Sequence, residues 1–427
     1  MSTSRNEFFS RLRVALVLVG LVPLTALGQG LGNSPYSSLG IGEIYGNNNI
    51  INMGMGGLGV ANANVFFLNT VNPALLARNQ NTIFEVGLLG QAKQLADIRQ
   101  SQRDFGANLS YLGLAFPVTG KWSMGLSLRP HSYVDYQTTQ YEKVPGTIYD
   151  YQKVYRGRGG LNRATWTNGF QVGKTFYAGV EASFVFGNIS NDAESQLVIN
   201  GVNDITVSRS TLTSYNDIAL KLGAAWRPKL SKNWFLNVGA TYDPQTRMKG
   251  RETDTYQQLL GGSELSLPDT LRNNISGRNT LPSQFRAGIA IEKALNLTAG
   301  VEFTYQPWSK YRGLTGQSAG FNDSYTLAAG MQWLPKTASE NYLNLINYRA
   351  GVAYTRLPYV INGKPVNDMS VSLGFSLPVG QLVNSVNLSL TGGQRGTLTE
   401  GQIRERYIKI GLGLSLNDRW FQRFVVD

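Results

Sequence analysis

Cysteine is absent from the sequence, which excludes disulfides and thiolate metal sites and is compatible with an oxidising compartment. Histidine occurs once, at His131. A zinc site built on two histidines of one chain is therefore excluded, and a serine–histidine nucleophile pair would have to use this residue. Its neighbour Ser132 would point to the opposite face of a strand, which leaves His131 a structural or interfacial role. Charge is scarce: 15% of residues, against about 25% in an average soluble chain. Long apolar runs are missing after the first 28 residues. Low charge without such runs suits a chain that sets its apolar residues on alternate positions.

Residues 1–28 read as a processing signal. Arg5, Arg11 and Arg13 form a basic start, Val14 to Leu24 a short apolar core, and Ala26-Leu27-Gly28 a small-x-small cleavage pattern. The core falls short of the roughly 18 residues that a helical span needs. Export is the expected fate, with the mature chain starting near Gln29. The formal charge is +12, and about +10 once Arg5, Arg11, Arg13 and Glu7 are gone. An exported basic protein meets anionic lipid headgroups before nucleic acid, and a basic surface also serves solubility.

Helical periodicity is nearly absent past the signal, while period-2 alternation recurs. Ile408, Ile410, Leu412, Leu414 and Leu416 alternate with Tyr407, Lys409, Gly411, Gly413 and Ser415. In a strand these sets face opposite sides. A soluble sandwich alternates too, so strand length decides. Many runs reach ten or more residues, near the ~9–11 of a tilted membrane strand and beyond the ~5–6 of an ordinary one.

Fourteen segments emerge: 82–96, 104–117, 121–134, 163–173, 175–188, 213–227, 233–248, 283–293, 295–308, 322–334, 344–357, 368–378, 383–394 and 405–416. Connections at one end are short, as at Val118-Thr119-Gly120. Those near 135–162, 189–212 and 249–282 read as long loops. This asymmetry predicts an all-β fold, a transmembrane antiparallel barrel in the bacterial outer membrane with both termini on the short-turn, periplasmic side. Trp122, Trp226, Trp234 and Trp333 adjoin short turns and Trp420 follows the last strand, while Trp166 and Trp308 fall toward the other side. Such sorting predicts an interfacial girdle.

The expected organisation is thus a signal peptide (1–28), an N-terminal plug (29–81), the barrel (82–416) and a periplasmic tail (417–427). The plug reading rests on Met53, Met55, Val65, Phe66, Phe67, Leu75 and Leu76, which need an apolar setting. An unpacked periplasmic tail is the competing reading of that stretch.

Gly54 to Gly59 matches the G-x-G-x-x-G dinucleotide pattern but lacks a βαβ unit, so a tight turn packed against backbone is expected instead. No cofactor, metal or catalytic residue is expected, and no nucleic acid. Tyr141 to Arg163 interleaves tyrosines with Lys153, Arg156, Arg158 and Arg163, for which lipopolysaccharide phosphates or solvent are the expected contacts. Pro130 interrupts the third segment. It marks either the end of the membrane strand or a break in barrel pairing that opens the wall sideways.

Met53 to Ala74, reading MGMGGLGVANANVFFLNTVNPA, resembles the segment before the first strand in the FadL/TodX family of hydrophobic-compound transporters, through Met55-Gly56-Gly57 and Asn72-Pro73-Ala74. Ser34-Pro35-Tyr36-Ser37 and Asn417 to Phe421 look like Bacteroidetes members of that group. The resemblance implies a lumen plug and a lateral opening at the third strand, where Pro130 lies. It also implies passive transport of small hydrophobic compounds, fatty-acid-like or aromatic. Candidate plug and gating residues are Met53, Met55, Phe66, Phe67, Asn72 and Pro73, with Pro130 for the lateral opening. Expected partners are outer-membrane lipids, lipopolysaccharide and hydrophobic small molecules. The alternative from another class is a docking subunit of a type nine secretion complex, with a secretion protein as partner. A barrel hydrolase would need His131.

Overall fold

The computed structural model describes residues 30–46, 49–147, 149–199, 202–260, 263–264, 267–380, 384–399 and 401–418. The expected signal peptide and residues 419–427, with Trp420, lie outside them. The alternating segments form one antiparallel sheet that closes on itself.

The first strand, β1 (Glu43–Ile44), belongs to the N-terminal segment. The wall then runs through β2 (Thr82–Ala96), β3 (Ser101–Thr119), β4 (Trp122–Lys143), β5 (Asp150–Gln171), β6 (Phe176–Ile199) and β7 (Val202–Trp226). Next come β8 (Trp234–Asp243), β9 (Thr246–Leu260), the two-residue β10 (Ser263–Glu264), β11 (Asp269–Leu281) and β12 (Gln284–Lys293). The wall ends with β13 (Leu297–Gln306), β14 (Ser324–Trp333), β15 (Asn347–Ile361), β16 (Lys364–Pro378), β17 (Ser385–Arg395) and β18 (Arg404–Asp418). β18 pairs with β2 from Arg404↔Ala96 to Asp418↔Thr82, which closes the barrel.

β8 and β9 are two halves of one barrel strand, as are β11 and β12, so the closed barrel has 14 strands. The breaks hold Pro244 and Pro282, which face each other between the register pairs Gln284↔Asp243 and Leu281↔Thr246. Proline lacks the ladder donor and sits at strand ends, so two opposed prolines interrupt both strands at one level.

Leu222, Tyr242, Phe285, Tyr305 and Tyr325 are register partners in sequence around the wall and form an outward aromatic-rich row. Toward the short turns a second row runs through Trp333, Tyr348 and Phe375, with ring centroids 5.9 Å apart at each step. Tyr325 and Trp333 lie eight residues apart on β14. That is roughly 20 Å of height for a strand tilted by ~40°, close to the ~25 Å apolar band of a membrane barrel. Trp226 and Trp234 are also exposed at this lower level. Trp308 is not interfacial: it is buried on a short turn, Trp308–Lys310, inside the barrel end.

The stretches expected as long loops are strands. β4 and β5 remain paired out to Lys143↔Asp150, β6 and β7 to Ile199↔Val202, and β9 with β11 to Asp269↔Tyr256. Toward their outer ends most described side chains of these hairpins are exposed or half-exposed, so the apolar alternation disappears while Thr and Val keep the extended backbone favourable. Ion pairs brace them. Arg209 hydrogen-bonds Asp254, which holds that carboxyl below the usual aspartate range. Arg156 meets Glu194 at 2.6 Å, and Arg158 meets Asp192 at 3.6 Å.

Residues 30–46 and 49–81 thread the lumen. They carry β1, the one-turn helix α1 (Ile50–Met53) and two 3-10 turns, Pro35–Ser38 and Pro73–Arg78.

Candidate functional site

The ladder between β3 and β4 is incomplete. It runs from Thr119↔Trp122 to Leu112↔Leu128 and goes no further. Above that level, among the described barrel strands, β3 pairs only with β2, up to Ala96↔Ser101, and β4 only with β5. Two facing backbone edges are thereby left without each other. Pro130 lies two residues past the last pair, and β4 continues through it with a bulge between Pro130 and Ser132. The strand does not end at the proline.

An unpaired edge in a buried setting needs other partners. The N-terminal segment supplies them. Glu43 and Ile44 pair with Tyr133 and Ser132, and Tyr45 N–H donates to His131 O at 3.0 Å. Further out, Ser34 N–H donates to Asp135 O at 2.8 Å, and the Asn33 side chain bonds the backbone of Gln137 in both directions. Toward β3 the contact is closer and less regular. Asn33 N–H donates to Asp104 Oδ2 at 2.5 Å, and a Cβ on Gly106 would lie 2.3 Å from Gly32 N. The seam is thus filled by residues 31–45 rather than by barrel wall.

Behind the seam lies an apolar cluster of Leu31, Leu89 and Tyr133, with Tyr45 and Met53 packed on it. Inward of Met53 is a cavity of about 320 Å³ whose walls include Arg286, Glu302, Trp308, Tyr359 and Arg395. Its walls mix charge with aromatic surface, unlike the apolar lining expected of the plug. An aromatic cluster stands at the long-hairpin end: Trp308, Tyr311, Phe321 and Tyr359 pack in tilted and edge-on pairs with ring centroids 5.2 to 5.8 Å apart. Asn279 Nδ2 donates to Tyr311 Oη at 2.9 Å and ties the cluster to the wall.

Charged residues in the inward register of the strands hold the plug, and sequence reasoning passed over them. Arg395 reaches Glu43 at 2.7 Å, Asp368 at 3.1 Å and Glu405 at 3.3 Å. Glu302 Oε2 accepts from both Gly59 N–H and Val60 N–H at 2.9 Å, and Glu85 Oε1 accepts from Leu68 N–H at 2.9 Å. The available signal was Glu302 among the inward-register residues of a membrane strand, where a charge requires a partner.

The candidate residues do not form one site. Met53 lies at the junction of seam and cavity. Met55 is fully buried against the opposite wall, where a Cβ on Gly330 or Gly351 would meet its backbone at 2.3 and 2.2 Å. Gly56 and Gly57, in the stretch matching the dinucleotide pattern, adopt φ of 70° and 88° and make this close approach feasible. Asn72 caps the Pro73–Arg78 turn through Ala74 N–H and donates to Val60 O and Ala224 O. Pro73 rests on Gly179 and Gly223. Phe67 packs under the Arg349 guanidinium, 5.4 Å from its ring centroid, and Phe66 lines a separate cavity at the short-turn end. His131 is the bulge residue of β4. Among the described residues no group of three His, Cys, Asp or Glu side chains is placed to hold a metal ion.

A closed barrel filled by its own N-terminal segment defines the class of plugged transmembrane β-barrels. Within that class the chain belongs to the BamG family, whose model matches residues 11–427. Solved structures share the fold. The Pseudomonas putida toluene transporter TodX is 15% identical with a TM-score of 0.58, over 89% of this chain and 100% of that one. A Pseudomonas aeruginosa FadL homologue gives 14%, 0.58, 89% and 100%, and the Ralstonia pickettii toluene transporter TbuX 13%, 0.56, 88% and 99%. The resemblance to FadL/TodX barrels thus holds at the level of the fold. No curated protein matches the sequence.

Proposed function

We propose that this protein is an outer-membrane channel for small hydrophobic compounds, fatty-acid-like or aromatic, which pass between the central cavity and the bilayer through the seam between β3 and β4. The observation that carries the reading is the ladder that stops at Leu112↔Leu128, with its upper part replaced by residues 31–45. The plug's backbone touches the lumen glycines, so an axial path requires moving the whole plug. A sideways path requires moving only the N-terminal segment. Leu31, Tyr45, Met53, Leu89 and Tyr133 give that path an apolar floor. Met53 is the gating residue in this scheme, Met55, Asn72 and Pro73 anchor the plug, and Pro130 maintains the break. The toluene transporters of like fold support the solute class.

The absence of native cysteine makes the test clean. Ile44 and Ser132 are register partners. Opposed antiparallel residues have Cα atoms roughly 4.5–5.5 Å apart, within disulfide range. In proteoliposomes, the Ile44→Cys/Ser132→Cys barrel should take up a hydrophobic tracer when reduced and lose uptake when oxidised. Uptake unchanged after complete cross-linking would overturn the reading.

A further inference from the structure

The cavity at the short-turn end is separate from the seam. It holds about 300 Å³ and lies between the plug loop at Ala63–Phe67 and the turns that follow β12, β14 and β16. That is the small end of the range of ligand pockets. Phe66, Leu295, Leu334 and Leu345 give it an apolar side. Leu295 stands with φ at +57°, a left-handed backbone that a leucine rarely adopts, and its side chain is half exposed at this mouth. The other side carries charge. Glu292 accepts from Arg227 at 2.9 and 3.2 Å and from Asn237 Nδ2 at 2.8 Å, so this acid and its cation neutralise each other. Arg78 is different. It ends the Pro73–Arg78 turn, donates from Nε to Ala63 O at 2.9 Å, and places Nη1 3.5 Å from Tyr177 Oη. Both acceptors are neutral, and among the described residues no carboxylate pairs with this guanidinium.

We infer that this cavity is a binding site for a small amphipathic monocarboxylate, held with its carboxylate on Arg78 and its apolar body against Phe66, Leu295, Leu334 and Leu345. A half-buried cation without a counter-ion is costly, and an anion that enters the cavity supplies one. A guanidinium offers N–H groups in a planar fork that matches a carboxylate. The charge balance selects the ligand further. Arg227 is already spent on Glu292, so one free cation suits one negative charge, and a phosphate dianion would bring a second charge up against Glu292. A neutral hydrocarbon would fill the apolar side but leave Arg78 as it is. The mouth therefore favours acids over neutral solutes of the same size. This extends the transport reading by naming a charged subclass of solute and rests on it for that point alone, because the site is built without any residue of the seam.

Photolabelling of the full chain in phospholipid vesicles tests it. The probe is decanoic acid with a diazirine near its methyl end, and the matching decanol is the neutral control. Labels mapped by mass spectrometry should fall on residues 63–67, 294–296, Leu334 and Leu345 with the acid and far less with the alcohol, while Val371 on the lipid-facing wall gives the common background. Arg78→Met should lower acid labelling of the mouth by about tenfold or more, the scale of one lost charge-assisted hydrogen bond, and leave the alcohol unchanged. Arg78→Lys restores the cation and should restore most of the acid labelling, which a purely packing role of Arg78 would not predict. The oxidised Ile44→Cys/Ser132→Cys barrel separates the two readings: mouth labelling should persist there even when uptake is lost. Acid and alcohol labelling the mouth equally, or acid labelling that Arg78→Met leaves unchanged in a folded barrel, would overturn the inference. So would labels confined to the lipid-facing wall.

Discussion

Arg395 on β17 holds Glu43 of the plug at 2.7 Å while also contacting Asp368 and Glu405 from the neighbouring strands. One guanidinium thus ties three wall strands to the segment that fills the seam. Removing it leaves three buried carboxylates without their shared cation, which costs on the order of 3–5 kcal/mol. Arg395→Met is expected to lower the unfolding temperature of the barrel sharply in a thermal scan. Glu43→Gln keeps the remaining two partners, so the barrel should stay folded while residues 33–45 become more accessible to protease. Unchanged protease protection in Glu43→Gln would show that the latch does not restrain the segment.

Pro130 withholds a backbone donor just past the last β3–β4 pair. Pro130→Val supplies the donor and a β-branched side chain that favours extended pairing. Tracer uptake should slow in proteoliposomes, with amide exchange at residues 129–135 also slowed. Uptake equal to wild type in an assembled barrel would remove Pro130 from the scheme.

Gly351 faces the plug backbone, and a Cβ there would lie 2.2 Å from Met55 C. Backbone cannot yield as a flexible side chain can. Gly351→Val is expected to destabilise plug packing by about 1–3 kcal/mol or more. Planar-bilayer conductance reads the result: the variant should show ion leak where the wild type is closed.

Trp308 is buried among Tyr311, Phe321 and Tyr359 at the long-hairpin end. Trp308→Ala removes a large aromatic group, at a cost of roughly 3–5 kcal/mol if the site does not collapse. The outer entrance should widen, and entry of a bulky hydrophobic dye into the central cavity should accelerate. No change in dye entry would mean that this cluster is not the outer barrier.

Much of the wall was legible from alternation alone. All fourteen segments read from the sequence overlap a barrel strand, because in a membrane strand every second residue meets lipid and the pattern is written locally. The hairpin extensions were missed for the converse reason. Residues 139–147, 149–153 and 206–212 are exposed or half-exposed on both faces, so no apolar period marks them. Trp308 was misplaced because an indole at a strand end is equally suited to an interface and to an internal cluster. Of the candidate site residues, Met53 and Pro130 fall near the same seam, whereas Met55, Asn72 and Pro73 rest on the lumen glycines and Phe66 faces another cavity.

Period-2 alternation, the aromatic residues at strand ends and the scarcity of charge determined by themselves that this chain builds a membrane barrel, since each is a property of neighbouring residues along one strand. Only the tertiary structure decided which edges stay unpaired and what fills them. The stop at Leu112↔Leu128 and the grip of Arg395 on Glu43 join residues far apart in the chain, and nothing in a local period encodes such a meeting.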